Sequence, residues 1–275
     1  MLESIRDFFS GRNKRLGRLS FSDVIIAIIG LIAFVVVWHL SAMILDTTYL
    51  PFPAEVADAF FRSFAVKDPI SGVTMWDNLE SSLNRFLVGF VLAVIIAVPI
   101  GLALGWSRVA ENATKPIIEI FRPIPPLAWA PFFFIVFGAF LGPVLVIFLG
   151  VVFPILSNVI FGVKSVEPSL IDAAKTLGAK QSTLFLKVIL PYTVPYLMAG
   201  ITIGLGIGWM CIVAAEMIGA EGGGVGLFIQ NMNAIGRYPE MFAGMAVVAL
   251  LGIITVGGAG YIERKLSNWM GVSRK

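Results

Sequence analysis

Long apolar blocks separated by short polar connections dominate the pattern of this sequence. Six blocks are long enough to cross about 30 Å of hydrocarbon as helices, and the third of them is interrupted by prolines. They run over Val24–Leu45, Phe86–Trp106, Pro116–Phe140, Pro143–Val163, Tyr192–Ile218 and Met241–Ile262. We therefore predict an all-α membrane protein with six transmembrane helices.

Basic residues in the connections predict the orientation, because Lys and Arg are retained on the cytoplasmic side. Fifteen of the 20 Lys and Arg residues lie in segments that are inside if both termini are inside. Arg62, Lys67 and Arg237 lie in the outside segments, and Arg85 and Arg122 fall at or within the membrane. The predicted organisation is a cytoplasmic N-terminal segment, a six-helix domain and a cytoplasmic tail, over residues 1–23, 24–262 and 263–275.

The outside connection after the first block has a helical pattern of its own. Val56, Phe60 and Phe64 recur every four residues, as do Leu79 and Leu83. This spacing predicts two short amphipathic helices on the outer surface.

Composition excludes a water-soluble globular protein. Hydrophobic residues make up 58% of the chain and charged residues 13%, against about 45–50% and about 25% in soluble domains. The net charge of +3 is too small to indicate nucleic-acid binding. One cysteine and one histidine (Cys211 and His39) leave almost no material for disulfides, zinc sites or Cys/His catalysis, and we interpret His39 as a packed or interfacial side chain rather than a ligand.

Sequence motifs of enzymes are absent. The chain has no Walker-type phosphate loop, no His-Glu-x-x-His and no nucleophile elbow. A glycine-rich run, Gly219–Gly226, follows an apolar block with no preceding strand, so we interpret it as a flexible or close-packed outer loop rather than a nucleotide site. We expect no catalytic residue, metal ion or cofactor in this chain.

Glycines recur every fourth residue in two of the blocks, at Gly200, Gly204 and Gly208 and at Gly101 and Gly105. Such strips let helix backbones approach closely. We favour packing within the chain over a contact between subunits.

The proline-broken third block and one acidic residue are the candidates for a solute path. Three prolines in four residues remove backbone donors, and a broken helix at membrane depth must be covered by protein or by a water-filled path. Arg122 beside the break is an intramembrane cation, with snorkelling to the inner surface as the alternative. Glu216 either lines the path or only marks a helix end. The predicted path residues are Arg122, Pro125, Pro126, Trp129 and Glu216.

The strongest local signal is the inside loop between the fourth and fifth blocks. Residues 167–178 read as a short helix with Pro168 in its first turn and Gly178 as its stop. A second short helix is predicted over Gln181 to Val188, before Leu190 and Pro191. An ordinary connection needs only a few polar residues, so this loop is typical of a docking surface that transmits force into a membrane helix.

The loop resembles the Glu-Ala-Ala loop of bacterial and archaeal ABC importer permeases. In that family Glu-Ala-Ala is followed by three residues, Gly, nine residues and Ile-x-Leu-Pro. The same spacing holds here, with Asp replacing Glu and Val replacing Ile, in Asp172, Ala173, Ala174, Gly178 and Val188-Ile189-Leu190-Pro191. The chain is also similar to the nitrate/sulfonate/taurine/bicarbonate branch in Leu50–Glu55, Arg122–Trp129 and Ile212–Met217.

The resemblance implies a type I ABC importer permease fold (MetI-like) in a bacterial or archaeal inner membrane. It implies a homodimer, or pairing with a paralogous permease, around one path. Two cytoplasmic ATPase subunits would bind ATP and Mg and receive the coupling loop at about residues 164–191, and an extracytoplasmic binding protein would deliver the solute.

The resemblance also assigns roles to residues of the loop. Asp172 would orient or pair the coupling helix, Ala173 and Ala174 would let it sit deep in a groove, and Gly178 would supply the turn. Leu190 and Pro191 close the motif.

The solute implied by the family branch and by Arg122 is a small anion: nitrate, bicarbonate, taurine or an aliphatic sulfonate. Thiamine-precursor pyrimidines remain open. A stand-alone secondary transporter or channel is the alternative, and it would need coupling-ion carboxylates or an inverted repeat, neither of which is visible in the sequence. A membrane-embedded enzyme would need clustered His, Asp, Glu or Ser-Lys residues.

Overall fold

The structure of the protein is a computed structural model that describes residues 21–269, and throughout this range the regular structure is helical. The α-helices are α1 (Phe21–Leu45), α2 (Pro53–Ala65), α3 (Met75–Trp106), α4 (Arg108–Phe121), α5 (Ala130–Lys164), α6 (Pro168–Thr176), α7 (Gln181–Leu184), α8 (Leu190–Gly219), α9 (Val225–Ala234) and α10 (Tyr238–Trp269). A 3-10 turn over Pro126–Trp129 precedes α5, and a π-helical turn over Phe185–Ile189 joins α7 to α8. The predicted all-α class is confirmed. Of the predicted terminal segments, residues 1–23 and 263–275, residues 1–20 and 270–275 lie outside the described residues.

The chain divides into two compact units, and the boundary in the sequence lies between Ala54 and Glu55. In the first unit, α1 is an apolar helix whose residues Val24–Leu45 are long enough to cross a membrane. The segment after it folds back, since Trp38 Nε1 donates to the carbonyl of Pro51 at 3.1 Å. The His39 side chain is exposed, and its ring lies 5.2 Å from that of Phe52.

Five helical stretches in the described residues are long and apolar enough to cross a membrane, against the six that the sequence predicts. They are Val24–Leu45, Met75–Trp106, Pro126–Lys164, Gln181–Gly219 and Tyr238–Leu266. The difference lies in the predicted third and fourth spans. The second half of the third span and the whole of the fourth belong to the single helical stretch Pro126–Lys164.

That stretch is bent sharply at one glycine. Gly138 has φ 79° and ψ −179°, a backbone conformation far from that of a helix. A Cβ placed on Gly142 would lie only 3.3 Å from the Cα of Phe134, although eight residues of straight helix rise about 12 Å. The chain therefore reverses direction at Gly138, and the short helix before it packs against the start of the long helix after it.

The core of the second unit lies where α3, α5 and α8 pack together. Their fully buried side chains include Phe86, Ile147, Val151, Ile155 and Ile212. The rings of Phe86 and Trp209 stack with centroids 4.4 Å apart. The indole of Trp209 donates to Thr255 Oγ1 at 2.9 Å, which ties α8 to α10.

The predicted glycine strips lie in this core, at contacts within the chain as expected. A Cβ on Gly101 would lie 2.8 Å from the Val159 side chain, and one on Gly208 would lie 2.9 Å from the ring of Phe86. A Cβ on Gly204 would lie 3.0 Å from Val151. The absence of side chains at these positions is what lets α3, α5 and α8 approach so closely.

Replacing Gly204 with Leu should therefore destabilise the fold by about 1–3 kcal/mol, the usual cost of overpacking. Gly252→Leu is the matched control, because no heavy atom lies within 4 Å of a Cβ at that position. The free energy of unfolding in detergent is the measurement. Equal losses in the two variants would contradict this packing.

The first predicted amphipathic helix is confirmed as α2, in which Val56 is buried and Phe60 and Phe64 pack on a neighbouring cluster. The second is wrong as a separate element, because residues 75–85 form the first turns of α3. A capping box starts α3: Thr74 Oγ1 accepts from the backbone of Asp77, whose carboxylate accepts from the backbone of Thr74. No glycine or proline follows until Gly89, so the helix continues into the apolar block.

A buried aspartate fixes the loop between α2 and α3. Asp68 accepts hydrogen bonds from Asn231 Nδ2 at 3.0 Å, the backbone of Ile70 at 2.7 Å and Ser71 Oγ at 2.7 Å. Burial raises the pKa of this carboxyl, but these hydrogen bonds outweigh it and hold the pKa below its usual value.

A carboxyl with a lowered folded-state pKa stabilises the fold above its unfolded pKa of about 3.9, and the stabilisation is lost as the pH falls through the lower folded value. We therefore expect the loop to gain protease sensitivity below about pH 4. In Asp68→Asn the sensitivity should be raised already at neutral pH and should no longer rise in this range. Limited proteolysis over a range of pH measures this sensitivity. If the sensitivity of Asp68→Asn rose with falling pH as it does in the wild type, the role of Asp68 would be contradicted.

Candidate functional site

The predicted coupling loop folds as the sequence indicates. Its first helix, α6, begins at Pro168 after Glu167 in extended backbone conformation. Its end is a Schellman motif, in which Gly178 has φ +77°. The Gly178 N–H donates to the carbonyl of Lys175 at 2.9 Å, and the Ala179 N–H donates to that of Ala174 at 3.0 Å. Glycine adopts this left-handed conformation without steric cost, which explains the stop at Gly178.

The two faces of α6 differ in what they contact. Ile171 and Ala174 pack towards the body of the protein, against a buried apolar cluster formed by Val163, Val166, Leu184 and Ile189. Asp172 and Ala173 are exposed, and Leu177 is 87% exposed. Exposed apolar side chains beside an exposed carboxylate form a surface suited to contact with another protein.

After Gly178 the loop runs directly into a membrane-length helix. The predicted separate helix over Gln181–Val188 is instead the first part of one helical stretch, Gln181–Gly219. The Leu190 N–H bonds to the carbonyl of Phe185, which makes a wide π turn. Pro191 explains the π turn, because its ring would clash with the carbonyl four residues earlier in a regular helix. Leu190 is half-buried and Pro191 is exposed. Residues 177–180 are the only non-helical residues between α6 and α8.

The proline break of the predicted path lies on the surface of the second unit. None of the residues of α4 is buried, and Arg122 ends this helix by donating its backbone N–H to Ile118. The side chains of Arg122 and Pro125 are exposed, and those of Pro126 and Trp129 are half-buried. The ring of Trp129 lies 6.1 Å from that of Phe121 on one side of the break and 6.1 Å from that of Phe133 on the other. Four of the five predicted path residues thus form one accessible segment, and their role in a path stays a prediction.

The fifth predicted path residue, Glu216, is in a different place. Its side chain is fully buried in α8 and forms an ion pair with Arg85 of α3 at 2.9 Å. Its carboxylate also accepts from Ser82 Oγ at 2.8–2.9 Å and from the backbone of Gly226 at 3.0 Å. The carboxylate is enclosed by protein within the single chain, and the role of Glu216 in a path stays a prediction.

The glycine-rich run closes this buried cluster. Arg85 donates to the carbonyls of Gly223 at 2.8 Å and Glu221 at 2.5 Å. Gly222, Gly223 and Gly224 all have positive φ, and a Cβ on Gly224 would lie 2.6 Å from the Glu216 carboxyl carbon. Of the two interpretations that the sequence left open, a flexible loop and a close-packed one, the contacts at Gly223 and Gly224 favour the close-packed loop.

Sequence reasoning missed the partners of Glu216 on α3. Asn78, Ser82 and Arg85 follow the i, i+4, i+7 spacing of one helix face, and all three are buried. Asn78 Oδ1 accepts from the backbone of Gly224 at 2.8 Å. This polar stripe at the start of an apolar helix was a usable signal, although no spacing indicated that its partners lie more than 130 residues away.

No group of three His, Cys, Asp or Glu side chains that could hold a metal ion occurs in residues 21–269.

Comparison with known proteins decides the family. The model of the family described as "Binding-protein-dependent transport system inner membrane component" matches residues 89–268, more than half of the chain. The chain belongs to this family. The matched range of the permease includes the proline break, α6 with its turn, and Glu216.

Similar proteins are named as permease proteins of transport systems. The permease is 34% identical over 236 residues to the taurine transport system permease protein of Escherichia coli, covering 85% of each chain. It is 31% identical over 244 residues to the nitrate import permease protein of Synechococcus elongatus, covering 86% of this chain and 85% of the relative. The predicted membership of the nitrate, sulfonate and taurine branch of ABC importer permeases is thus confirmed.

Solved structures confirm the fold. A chain of the MetNI methionine ABC transporter, solved in inward-facing conformations, aligns with a TM-score of 0.62 at 21% identity over 73% of the permease and 99% of that chain. This similarity supports the predicted MetI-like fold of a type I importer permease. The number of membrane crossings in the permease is a separate question.

Proposed function

We propose that this permease subunit translocates a small anion, driven by ATPase subunits that contact the exposed face of α6. The observation that carries the proposal is the continuity between that face and α8. Leu170, Asp172, Ala173 and Leu177 form an exposed surface on the loop. Ile171 and Ala174, on the opposite face, pack against the first turns of the helix that runs on into α8.

This arrangement gives a physical route for coupling. A chain without a phosphate loop has no means of using ATP, so energy arrives through a protein contact. A partner that moves α6 also moves the buried cluster beneath it, because packed side chains transmit displacement rather than absorb it. The cluster includes Ile189, the residue before α8 begins, and the movement therefore reaches the start of a membrane-length helix.

We infer six membrane crossings, of which one is broken. The helix from Ala130 to the reversal at Gly138 extends only about 12 Å, too short to cross alone. Together with α4 and the 3-10 turn it is long enough to form a broken third crossing, with α5 after Gly138 as the fourth. An even number of crossings puts both termini on one side, and the distribution of Lys and Arg supports the cytoplasm as that side.

The proposed substrate is a small anion such as taurine, nitrate, bicarbonate or an aliphatic sulfonate. Two relatives carry taurine and nitrate in their names. Arg122 is an exposed guanidinium beside the proline break, and it forms no ion pair within the described residues. A cation at a constriction attracts anions and repels cations, so Arg122 with Pro125, Pro126 and Trp129 is the proposed path segment.

The proposed assembly is a pair of permeases, with two ATPase subunits inside and a binding protein outside. The proline break supports the pairing. Its backbone lacks donors and lies exposed on the single chain, and irregular backbone at membrane depth must be covered by protein or line a water-filled cavity. A second copy, or a paralogous permease, meeting the first at this segment satisfies both conditions around one path.

A stand-alone secondary transporter has less support. It would need a carboxylate that binds the coupling ion inside the membrane. The ion pair with Arg85 already neutralises Glu216, which the sequence marked as the acidic residue well inside a span.

The cognate binding protein tests the substrate class. We expect taurine, nitrate, bicarbonate or an alkanesulfonate to stabilise it against thermal unfolding by about 2.7 kcal/mol when the solute is present at one hundred times its Kd. Stabilisation by a thiamine-precursor pyrimidine, with no response to any anion, would contradict the proposed substrate and leave the permease family unaffected.

A further inference from the structure

An open groove of about 510 Å³ lies between the end of α3 and the start of the Gln181–Gly219 helix. One wall consists of Pro99, Leu102, Ala103 and Trp106, which follow the i, i+3, i+4, i+7 spacing of a single helix face. The other wall is formed by Gln181, Ser182 and Phe185. The rings of Trp106 and Phe185 meet edge to face, with centroids 5.4 Å apart.

The groove lies at one end of two membrane-length helices. Trp106 is the last residue of one and Gln181 the first of the other, so both mark the same membrane boundary. Tryptophan is typical of that boundary, where its ring sits at the level of the lipid headgroups. Pro99, Ala103 and Trp106 are exposed, so the apolar wall is accessible from the side of the helix pair.

The groove is apolar along one part and polar at one end, as a lipid molecule is. Its wall on α3 is apolar, and its far end carries the side chains of Gln181 and Ser182, which make no hydrogen bond within the described part of the chain. Basic residues flank this polar end: Lys180 directly precedes Gln181, and Arg108 follows Trp106 by two residues.

These two cations lack acidic partners among the described residues, whereas two acids of α4 are already paired. Glu111 forms an ion pair with Lys164, and Glu119 with Lys115. Arg108 and Lys180 are exposed and form no ion pair in residues 21–269. The polar end of the groove therefore has uncompensated positive charge.

We propose that the groove binds an anionic phospholipid, with an acyl chain along Pro99, Ala103 and Trp106 and the phosphate beside Ser182, Lys180 and Arg108. The apolar wall matches the acyl chain of such a lipid, the polar end matches its glycerol region, and the positive charge matches its phosphate. The assignment to the cytoplasmic leaflet rests on the proposed orientation of the permease. Because the groove shares Phe185 with the cluster under α6, a bound lipid touches the segment that joins the coupling loop to α8.

Binding is measured on the purified full-length permease by native mass spectrometry, with phosphatidylglycerol and phosphatidylcholine of the same acyl chains. We expect phosphatidylglycerol to be retained preferentially. Replacing Arg108 and Lys180 with Gln should weaken its binding by about 30-fold, from about a factor of five for each cation near a lipid phosphate. The matched control replaces Lys175 and Lys265 with Gln, two exposed cations that, unlike Arg108 and Lys180, do not lie within two residues of a groove residue in the sequence, and should leave binding unchanged.

A second variant tests the apolar wall. Ala103→Trp fills the groove from an exposed position and should reduce retention of both lipids, while Arg108 and Lys180 remain. Equal retention of the two lipids by the wild-type chain, or equal losses in the charge variant and its control, would overturn the proposal. Neither result bears on transport, so failure here is distinct from failure of the proposed function.

Discussion

Reversing the charge of Asp172 should abolish uptake while the transporter still hydrolyses ATP. Asp172 is exposed on α6, and within residues 21–269 its carboxylate forms no ion pair or hydrogen bond, so Asp172→Arg should leave folding intact. An arginine on the contact face repels whatever basic or helix-terminal group receives the carboxylate. We expect uptake in proteoliposomes to fall at least tenfold, equivalent to about 1.4 kcal/mol of lost coupling, with ATP hydrolysis largely retained.

Gly178→Pro tests the same loop through its backbone. Proline holds φ near −65°, which is incompatible with the φ of +77° at Gly178, and it removes the N–H that donates to Lys175. The Schellman turn is lost, α6 is no longer held at its angle to the helix that follows, and uptake should fail as in Asp172→Arg.

Asp58→Arg is the control for charge. It makes the same reversal on an exposed residue of α2, outside the apolar blocks, and removes only a surface ion pair with Arg62, of a kind worth about 0–1 kcal/mol. Its uptake should be close to that of the wild type. Normal uptake by both Asp172→Arg and Gly178→Pro would contradict the assignment of α6 as the coupling helix.

The largest effect on stability is expected at the buried ion pair. Removing one partner leaves the other charge buried without compensation, which costs about 3–5 kcal/mol. We expect Glu216→Ala and Arg85→Ala each to lose that much unfolding free energy in detergent. Glu216→Ala also leaves the Gly226 N–H and Ser82 without their acceptor, and the glycine-rich loop should become sensitive to protease.

A double-mutant cycle isolates the pair. The double variant Arg85→Ala/Glu216→Ala leaves no uncompensated charge, so its loss should be smaller than the sum of the single losses by about 0.5–3 kcal/mol. Strict additivity of the two losses would show that the ion pair carries no coupling energy. Asp58→Asn, at the exposed pair with Arg62, serves as the reference and should cost less than about 1 kcal/mol.

Local features of the fold were predictable from the sequence, and features that depend on distant partners were not. Gly178 could be identified because a helix stop that needs positive φ selects glycine. The Gly204 and Gly208 strip could be identified because close helix packing selects small residues at a four-residue spacing. Both signals lie within a few residues of the structure that they specify.

The partner of Glu216 could not be found in this way. Arg85 lies 131 residues away in the chain, and a lone arginine at the edge of an apolar block has several interpretations until its surroundings are known. The sequence predicts the boundary between the third and fourth spans between Phe140 and Pro143, whereas the chain turns earlier, at Gly138. Proline is the stronger helix-breaking signal, but it is also tolerated within helices. Pro143 and Pro154 both lie inside α5.

The most direct test of the central claim is anion uptake into proteoliposomes assembled from defined components. We predict uptake of the solute recognised by the binding protein only when the permease, its ATPase subunits, the binding protein and ATP are all present, and loss of uptake when any one is omitted. Full uptake by the permease alone, with no ATPase partner, would contradict the account and favour a stand-alone transporter or channel.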